Sequence, residues 1–494
     1  MIKWLLVFLI FLGCKDFASA ATYIFDYNAN CNEAYQRFMS LQLDEGRSFI
    51  RKEIIANPYN LMSVYIADYE DCLLLLFNGD SKDYKQRYKN FDERLNILEK
   101  GDRNSPWYRL CKAGTYFHWA LVQFRFGDNF KAAINFRKSF LLLKENKKLF
   151  PDFAQNKIFL GAEEAVVGTI PDDYKWLASI FGMNGNVKNG VAQIAAFINN
   201  SDSNTPLRNE AVLFYCYLKF YLLSQQEEVW TYLNSNQFST SNNLLHSFVK
   251  ANLALNYRKA DAALQVLKHA QSLDGYNHFP VFDYEMGSAL LHKLDGNAVH
   301  FLKKFVANYS GKLFVKDAWQ KISHSYYLLG DQTNATYSRA QIKNTGSAQV
   351  DADKQAQRFS EANDWTSISI IKARLLSDGG YYTQALTILN ETNAKELTNP
   401  TDKLEFFFRF GRIYDELDMQ NKAIEFYQFT INSGRTRREH FAARAALQMG
   451  MLYEREGKKT EALNRYKECL AMRNHDLQAN IDQQAKAGIN RLSQ

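Results

Sequence analysis

The chain carries nine histidines, six cysteines and many carboxylates, and chemistry would need some of them at fixed spacings. His118, His246, His269, His278, His292, His300, His324, His440 and His475 form no H-E-x-x-H pair, and none stands at a metal-ligand spacing from a cysteine. Cys14, Cys31, Cys72, Cys111, Cys216 and Cys469 lie far apart and contain no C-x-x-C. That excludes a zinc signature and the disulfide framework of a small scaffold. Cys111, Cys216 and Cys469 fall inside apolar helical patterns and read as small hydrophobes. A single bridge, with Cys31 and Cys72 as candidates, stays open for an oxidising compartment. Glu163-Glu164 and Asp172-Asp173 are the carboxylate pairs that general acid–base work would use. For Asp172-Asp173, which follow Pro171, stabilising a helix N-terminus is the simpler role. No G-x-S-x-G elbow, dinucleotide fingerprint or G-x-x-x-x-G-K-[ST] loop is present. These residues point to a chain without cofactor, metal or enzyme activity. The one run of like charge, Arg435-Thr436-Arg437-Arg438 with Glu439 beside it, reads as a solvated loop rather than a phosphate or headgroup site.

The elements that must position these residues are helical. Hydrophobic residues make up 46% of the 494, enough for a large core, and the seven prolines are too few to interrupt many helices. Pro58, Pro106, Pro151, Pro206, Pro280 and Pro400 stand between helical patterns, where they end one helix or open the next. A net charge of +7 over this length is mild, and no nucleic-acid partner is expected. The first twenty residues differ from the rest. Lys3 precedes an apolar run from Trp4 to Leu12, and Ala18-Ser19-Ala20 supplies small residues before a cut at Ala20/Ala21. This is the pattern of a signal peptide over 1–20, since the run is too short to span a bilayer, which takes about 20 residues. Phe11-Leu12-Gly13-Cys14 also resembles a loose lipobox, with Cys14 as the lipidated residue, although Phe11 stands where the lipobox usually has Leu.

Internal repeats decide the fold class. Phe410, Gly411, Tyr414, Ala423 and Tyr427 recur 39 residues on as Met449, Gly450, Tyr453, Ala462 and Tyr466, with Phe407 opening the first unit and Cys469 closing the second. Small and large positions alternate as two antiparallel helices require when ridges pack into grooves. These two units resemble the tetratricopeptide repeat family. Weaker units have Trp319, Ile322, Ser323, Tyr326, Gly330 and Ala335, then Ala373, Leu376, Ala385 and Leu389. Others have Ala251, Ala263 and Leu267, then Met286, Gly287, Leu290, Ala298 and Leu302. Near the N-terminus the unit is Tyr116, Trp119, Ala120, Gly127, Ala132 and Phe136. The expected fold is an all-α solenoid of stacked antiparallel helix pairs, closed by a polar capping helix over Asp476–Gln494.

Residues 158–198 break the pattern with Gly161, Gly168, Pro171, Gly182, Gly185 and Gly190. Val167-Gly168-Thr169-Ile170-Pro171, with Leu177, Phe181-Gly182 and Gly190, resembles a segment of a eukaryotic tetratricopeptide family linked to outer-membrane and inclusion-body clearance. Physically the glycines predict close helix crossings and a compact turn. The segment is read as a joint between an N-terminal array, 21–200, and a C-terminal array, 201–494.

The family resemblance implies a concave wall, lined by the first helix of each pair, that receives an extended peptide or a partner helix. Carried onto this chain, the wall holds Leu121, Phe124 and Arg125 in the N-terminal array. In the C-terminal array it holds Gln320, His324, Tyr327, Arg374, Phe408, Arg412, Asp415, Leu447, Met451, Glu454 and Arg455. The implied function is a non-catalytic protein-interaction scaffold of a bacterial envelope, periplasmic or associated with the outer membrane. The alternative is a glycan-binding outer-membrane lipoprotein of a nutrient importer; seven prolines and an imperfect lipobox weigh against it. Oligomeric state is left open.

Overall fold

The computed structural model describes residues 22–170, 182–362 and 364–493. The signal segment, Cys14 and the Ala20/Ala21 junction lie outside these residues, as do Pro171, Asp172-Asp173, Leu177 and Phe181. The described residues form twenty-four α-helices and no strand, beyond an isolated bridge between Ile24 and Asn60.

Helices pair in sequence as antiparallel hairpins. The first four are α1 (Ala29–Phe38) with α2 (Leu43–Ala56), α3 (Leu61–Asn78) with α4 (Ser81–Leu98), α5 (Pro106–Arg125) with α6 (Asn129–Leu149), and α7 (Asn156–Val167) with α8 (Val187–Asn199). Next come α9 (Arg208–Leu222) with α10 (Gln226–Leu233), α11 (Leu244–Asn256) with α12 (Ala260–Ala270), α13 (Val281–His292) with α14 (Ala298–Asn308), and α15 (Val315–Leu328) with α16 (Gln332–Asn344). A single helix, α17 (Asp351–Glu361), follows. The last hairpins are α18 (Ile368–Gly379) with α19 (Tyr382–Glu391), α20 (Pro400–Glu416) with α21 (Gln420–Gly434), and α22 (Phe441–Arg455) with α23 (Lys459–Ala471), before the terminal α24 (Gln478–Ser493). The fold is an all-α solenoid.

Local chemistry fixes where helices begin. Asn60, Asp80 and Asn399 each accept a backbone N–H from the first turn of their helices, and Ser105 does the same ahead of Pro106. Pro106 and Pro400 occupy first-turn positions, where no N–H is missed.

Glycines fix how closely the helices meet. A Cβ on Gly411 would lie 2.6 Å from the Tyr427 ring, and one on Gly450 2.5 Å from Tyr466. Both tyrosines belong to the second helix of the pair and are fully buried. The filler in each unit is therefore this tyrosine, seated on the glycine. Gly161 and Gly190 face each other where α7 crosses α8: a Cβ on Gly161 would meet the Gly190 carbonyl oxygen at 2.7 Å. The crossing expected in this segment is present, and it joins the two helices of one hairpin.

The hydrophobic core falls into blocks that differ from the boundary expected at residue 200. One continuous cluster runs from Cys31 to Leu375, and a second from Ile370 to Ala485. Polar contacts cross residue 200 as well. His118 of α5 bridges Asp68 of α3 and Glu210 of α9, at 2.9 Å on each ring nitrogen, and all three are buried. Trp119 and Arg94 also donate to Asp68, each at 3.0 Å. The Gly-rich hairpin thus sits inside the larger core, and the change of core comes at α17 and α18.

The stack also closes on itself. Phe77 of α3 packs edge-on against Phe248 and Phe279, and Arg125 donates to the Tyr309 hydroxyl at 2.5 Å. Arg258, in the α11–α12 turn, pairs with Glu416 of α20, and Tyr381 donates to Asp261 at 2.8 Å. At the C-terminus Ile481 and Ala485 of α24 are fully buried, and Arg491 forks onto Glu454 at 2.8 and 2.9 Å. The polar terminal helix covers the last hairpin.

All five described cysteines are buried and free, so the bridge left open between Cys31 and Cys72 is not formed.

Candidate functional site

The first helices of successive hairpins touch one another: α11 meets α13, α13 meets α15 and α18, and α18, α20 and α22 follow in turn. On a curved stack the helices that approach most closely line the inner side. These helices carry the expected wall positions from Gln320 to Arg455, and the structure shows how each is held.

In the C-terminal part the wall is a ladder of ions. Arg374 of α18 forks onto Glu405 of α20 at 2.7 and 2.6 Å, and Arg409 reaches the same carboxylate at 3.0 Å. Burial disfavours ionised Glu405, but Arg374 and Arg409 outweigh it and hold its carboxyl down to about 2. Arg412 donates to Glu416 at 2.5 Å, to Gln448 at 2.6 Å and to Asp415 at 3.3 Å. Asp415 also accepts from Tyr427 at 3.0 Å and from Arg455 of α22 at 2.5 Å. Adjacent first helices are therefore stitched by charge-assisted bonds, which are stronger and more directional than neutral ones.

This arrangement corrects the exposure expected of several wall residues. His324 is buried against the Phe359 ring, and burial, then Arg374 and Lys321, hold it neutral down to about 3. Arg412, Asp415, Phe408 and Leu447 are also buried. The partners of the two polar groups are supplied by the protein itself, so they shape the wall rather than offer it to a ligand. Tyr327 is half-buried against Trp365, with ring centres 4.6 Å apart, and Glu454 is engaged by Arg491 and Tyr466. Gln320 and Met451 are half-buried; Arg455 is 60% exposed along its side chain.

At the other end of the chain Leu121 and Phe124 are exposed on α5, Phe124 by 71%. Phe130 and Ile134, one helical turn apart at the start of α6, are exposed as well. The four flank the same tight turn and form an apolar edge. Arg125 points away from it, to Tyr309.

The carboxylates considered for catalysis sit elsewhere. Glu163 is fully buried in α7, and burial, opposed by the Ser139 hydroxyl of α6, pushes its carboxyl well above the usual range. Glu164 accepts from Gln193 at 2.5 Å. Among the described residues no group of three or more His, Cys, Asp and Glu side chains could hold a metal ion, and no helix is long and apolar enough to cross a membrane. Arg435 and Arg437 of the charge run pair with Glu468 and Glu439, and Arg438 lies 3.6 Å from Asp476.

Sequence reasoning missed Arg258, Arg409 and Arg444, which face the same part of the wall. Arg409 had a visible signal, since it follows Glu405 by one helical turn. Arg258 had none: it arrives from a turn 158 residues before its partner Glu416.

No protein-family model matches the chain, and no curated protein does. Solved structures similar to it are helical. The APC/C hetero-tetramer Cut9–Hcn1 is 12% identical, with 94% of this chain and 95% of that one covered, at a TM-score of 0.27. A monomeric mutant of IFIT1 with Gppp-AAAA is 10% identical, with 90% and 95% covered, at a TM-score of 0.34. Rap protein complexed with competence and sporulation factor is 10% identical, with 82% and 96% covered, at a TM-score of 0.28.

Proposed function

We propose that the chain is a non-catalytic interaction scaffold of a bacterial cell envelope, holding a partner peptide or helix along its inner wall. The observation that carries this reading is the ion ladder through Arg374, Glu405, Arg412, Asp415 and Arg455. It fixes three successive first helices in register, so the wall is ordered before a partner arrives and little entropy is lost on binding. The contact residues left to a partner are Tyr327, Met451, Arg455 and the apolar edge of Leu121 and Phe124. Lys3, the apolar run to Leu12 and Ala18-Ser19-Ala20 support export, with the mature chain beginning at Ala21 and lying in the periplasm or against the outer membrane.

The test is in-cell crosslinking of a C-terminally tagged chain at its native level, followed by mass spectrometry of the periplasmic and membrane fractions. The scaffold reading expects one defined protein to be captured from an envelope fraction. A chain recovered without any protein partner, or recovered only from cytoplasm, contradicts it.

A further inference from the structure

The second helix of a hairpin needs one apolar stripe, the one that packs against its neighbours. In α6 that stripe is present, with Ala132, Phe140 and Leu143 buried. A second apolar line runs along the opposite side. Phe130, Ile134 and Leu141, at i, i+4 and i+11, share it with Lys148 at i+18. Phe130 is 80% exposed and Ile134 39%, while Leu141 is half-buried beside Gly182. Cations flank the line on both sides. Lys131 and Lys138 lie to one side of it, Lys144 and Lys147 to the other. With Arg137 and Lys148 they make six cations against one carboxylate, Glu145, which Arg109 of α5 already pairs at 2.9 Å. Five net charges thus stand on one helix of a chain that totals +7. Among the described residues Lys138, Lys144, Lys147 and Lys148 meet no carboxylate. Lys138 lies over the Tyr116 ring, and Lys144 and Lys147 reach the Gly182 carbonyl and the Gln193 amide oxygen, each at 3.3 Å. Lys131 stands 3.7 Å from Asp128.

We propose that this exposed face of α6 docks on an anionic lipid surface, lying in the plane of the interface. Phe130 and Ile134 enter the acyl boundary, and the lysines stay at the headgroups. The proposal deepens the envelope reading above by naming the face that meets a membrane, and rests on it for the bilayer available. Three features choose a bilayer over an acidic protein. Phe130 opens the helix and protrudes beside the hairpin turn, so it is covered best by a soft partner that yields around it. The cations spread over about 25 Å from Lys131 to Lys148, which a plane of lipid phosphates meets all at once. Long lysine stems reach past the apolar line to the headgroups while that line sinks.

The experiment uses the chain from Ala21, which holds every described helix, and reads co-sedimentation with vesicles. One set is phosphatidylglycerol and phosphatidylethanolamine in equal parts, the other phosphatidylcholine alone. Wild type should bind the anionic set and be released by raised salt. Phe130→Ser should weaken binding by about ten-fold, the lost burial of an aromatic side chain. Lys138→Gln should weaken it by about five-fold. Both positions are exposed, so neither variant should lower the melting temperature, which separates lost binding from lost fold. Ile55→Ser, at a position 83% exposed on α2, should leave binding unchanged. The proposal is overturned if wild type ignores the anionic vesicles, if it binds phosphatidylcholine equally well, or if Phe130→Ser and Ile55→Ser bind alike. An acidic protein as the true occupant would leave the vesicles unbound and so overturn it too. The crosslinking experiment reads a protein partner in the cell, so the scaffold reading can survive failure of the lipid face. Vesicle binding by a chain found only in cytoplasm would fail the envelope reading and leave the lipid face standing.

Discussion

At the scale of single residues, the buried ionisable groups define how stability responds to pH. Glu163 is fully buried, and burial outweighs the Ser139 hydroxyl beside it, so folding keeps it protonated while the unfolded chain ionises above its ordinary value of 4.5. The folded pKa is raised; its contribution is full below 4.5 and lost as pH rises toward the folded value. Glu163→Gln removes that loss. The variant should gain on the order of 1–3 kcal/mol over wild type at pH 8 and far less at pH 4, as read by urea unfolding at the two pH values. His118 behaves alike for another reason. Burial opposes its charge, but Glu210 and Asp68 outweigh burial and lift it to about 9 from 6.5. Its contribution is therefore full below pH 6.5 and fades as pH rises through 9. His118→Gln leaves Asp68 and Glu210 short of a cation and should cost about 3–5 kcal/mol at pH 6, with a smaller deficit at pH 9.5. Neither environment could be read from the sequence. Glu163 was noticed as one of an adjacent pair, but its isolation depends on what α6 and α8 bring against it. His118 looked like any scattered histidine, because its partners stand 50 residues before it and 92 after it.

Among the helices, the hairpins from α11 onward and the α5–α6 pair were legible, because their glycines, alanines and tyrosines mark the crossing points. What the spacing did not tell was which large residue meets which glycine. Gly411 meets Tyr427 from the second helix rather than Tyr414 from its own, and Tyr466 lies between Gly450 and Gly488 of α24. Gly450→Ala places a methyl carbon 2.5 Å from a ring that is fully buried and hemmed in on its far side. It should cost about 1–3 kcal/mol, seen as a lower denaturation midpoint with an unchanged m-value. The glycines of 158–198 illustrate the limit of such signals. They announce a close approach, and α7 and α8 do approach closely; they cannot announce that the hairpin so formed lies within a continuous core. The N-terminal hairpins were harder still. In α3 twelve of eighteen residues are buried, nearly all round the helix, so no apolar stripe emerges, while α4 is polar over most of its surface.

For the molecule as a whole, repeat arrays unfold by neighbouring units, yet this one has contacts that skip many repeats. Phe77 against Phe248, and Arg258 against Glu416, tie distant hairpins together. The two larger core clusters divide near residue 370. Native-state hydrogen exchange in low denaturant should therefore show residues 382–485 opening as a unit separate from 31–344, with no step at residue 200. The large-scale arrangement was legible as a solenoid and illegible as a closed one, because closure rests on residues in turns whose sequence carries no periodicity. The central claim is that the inner wall, and not the outer helices, receives a protein partner. The most direct measurement places a photo-crosslinking residue at Met451 on the wall or at Phe429, exposed on the outer α21, in chains expressed in the native cell. The account predicts one discrete protein adduct from Met451 and none from Phe429. The same adducts from both positions, or no protein adduct from Met451, would contradict it.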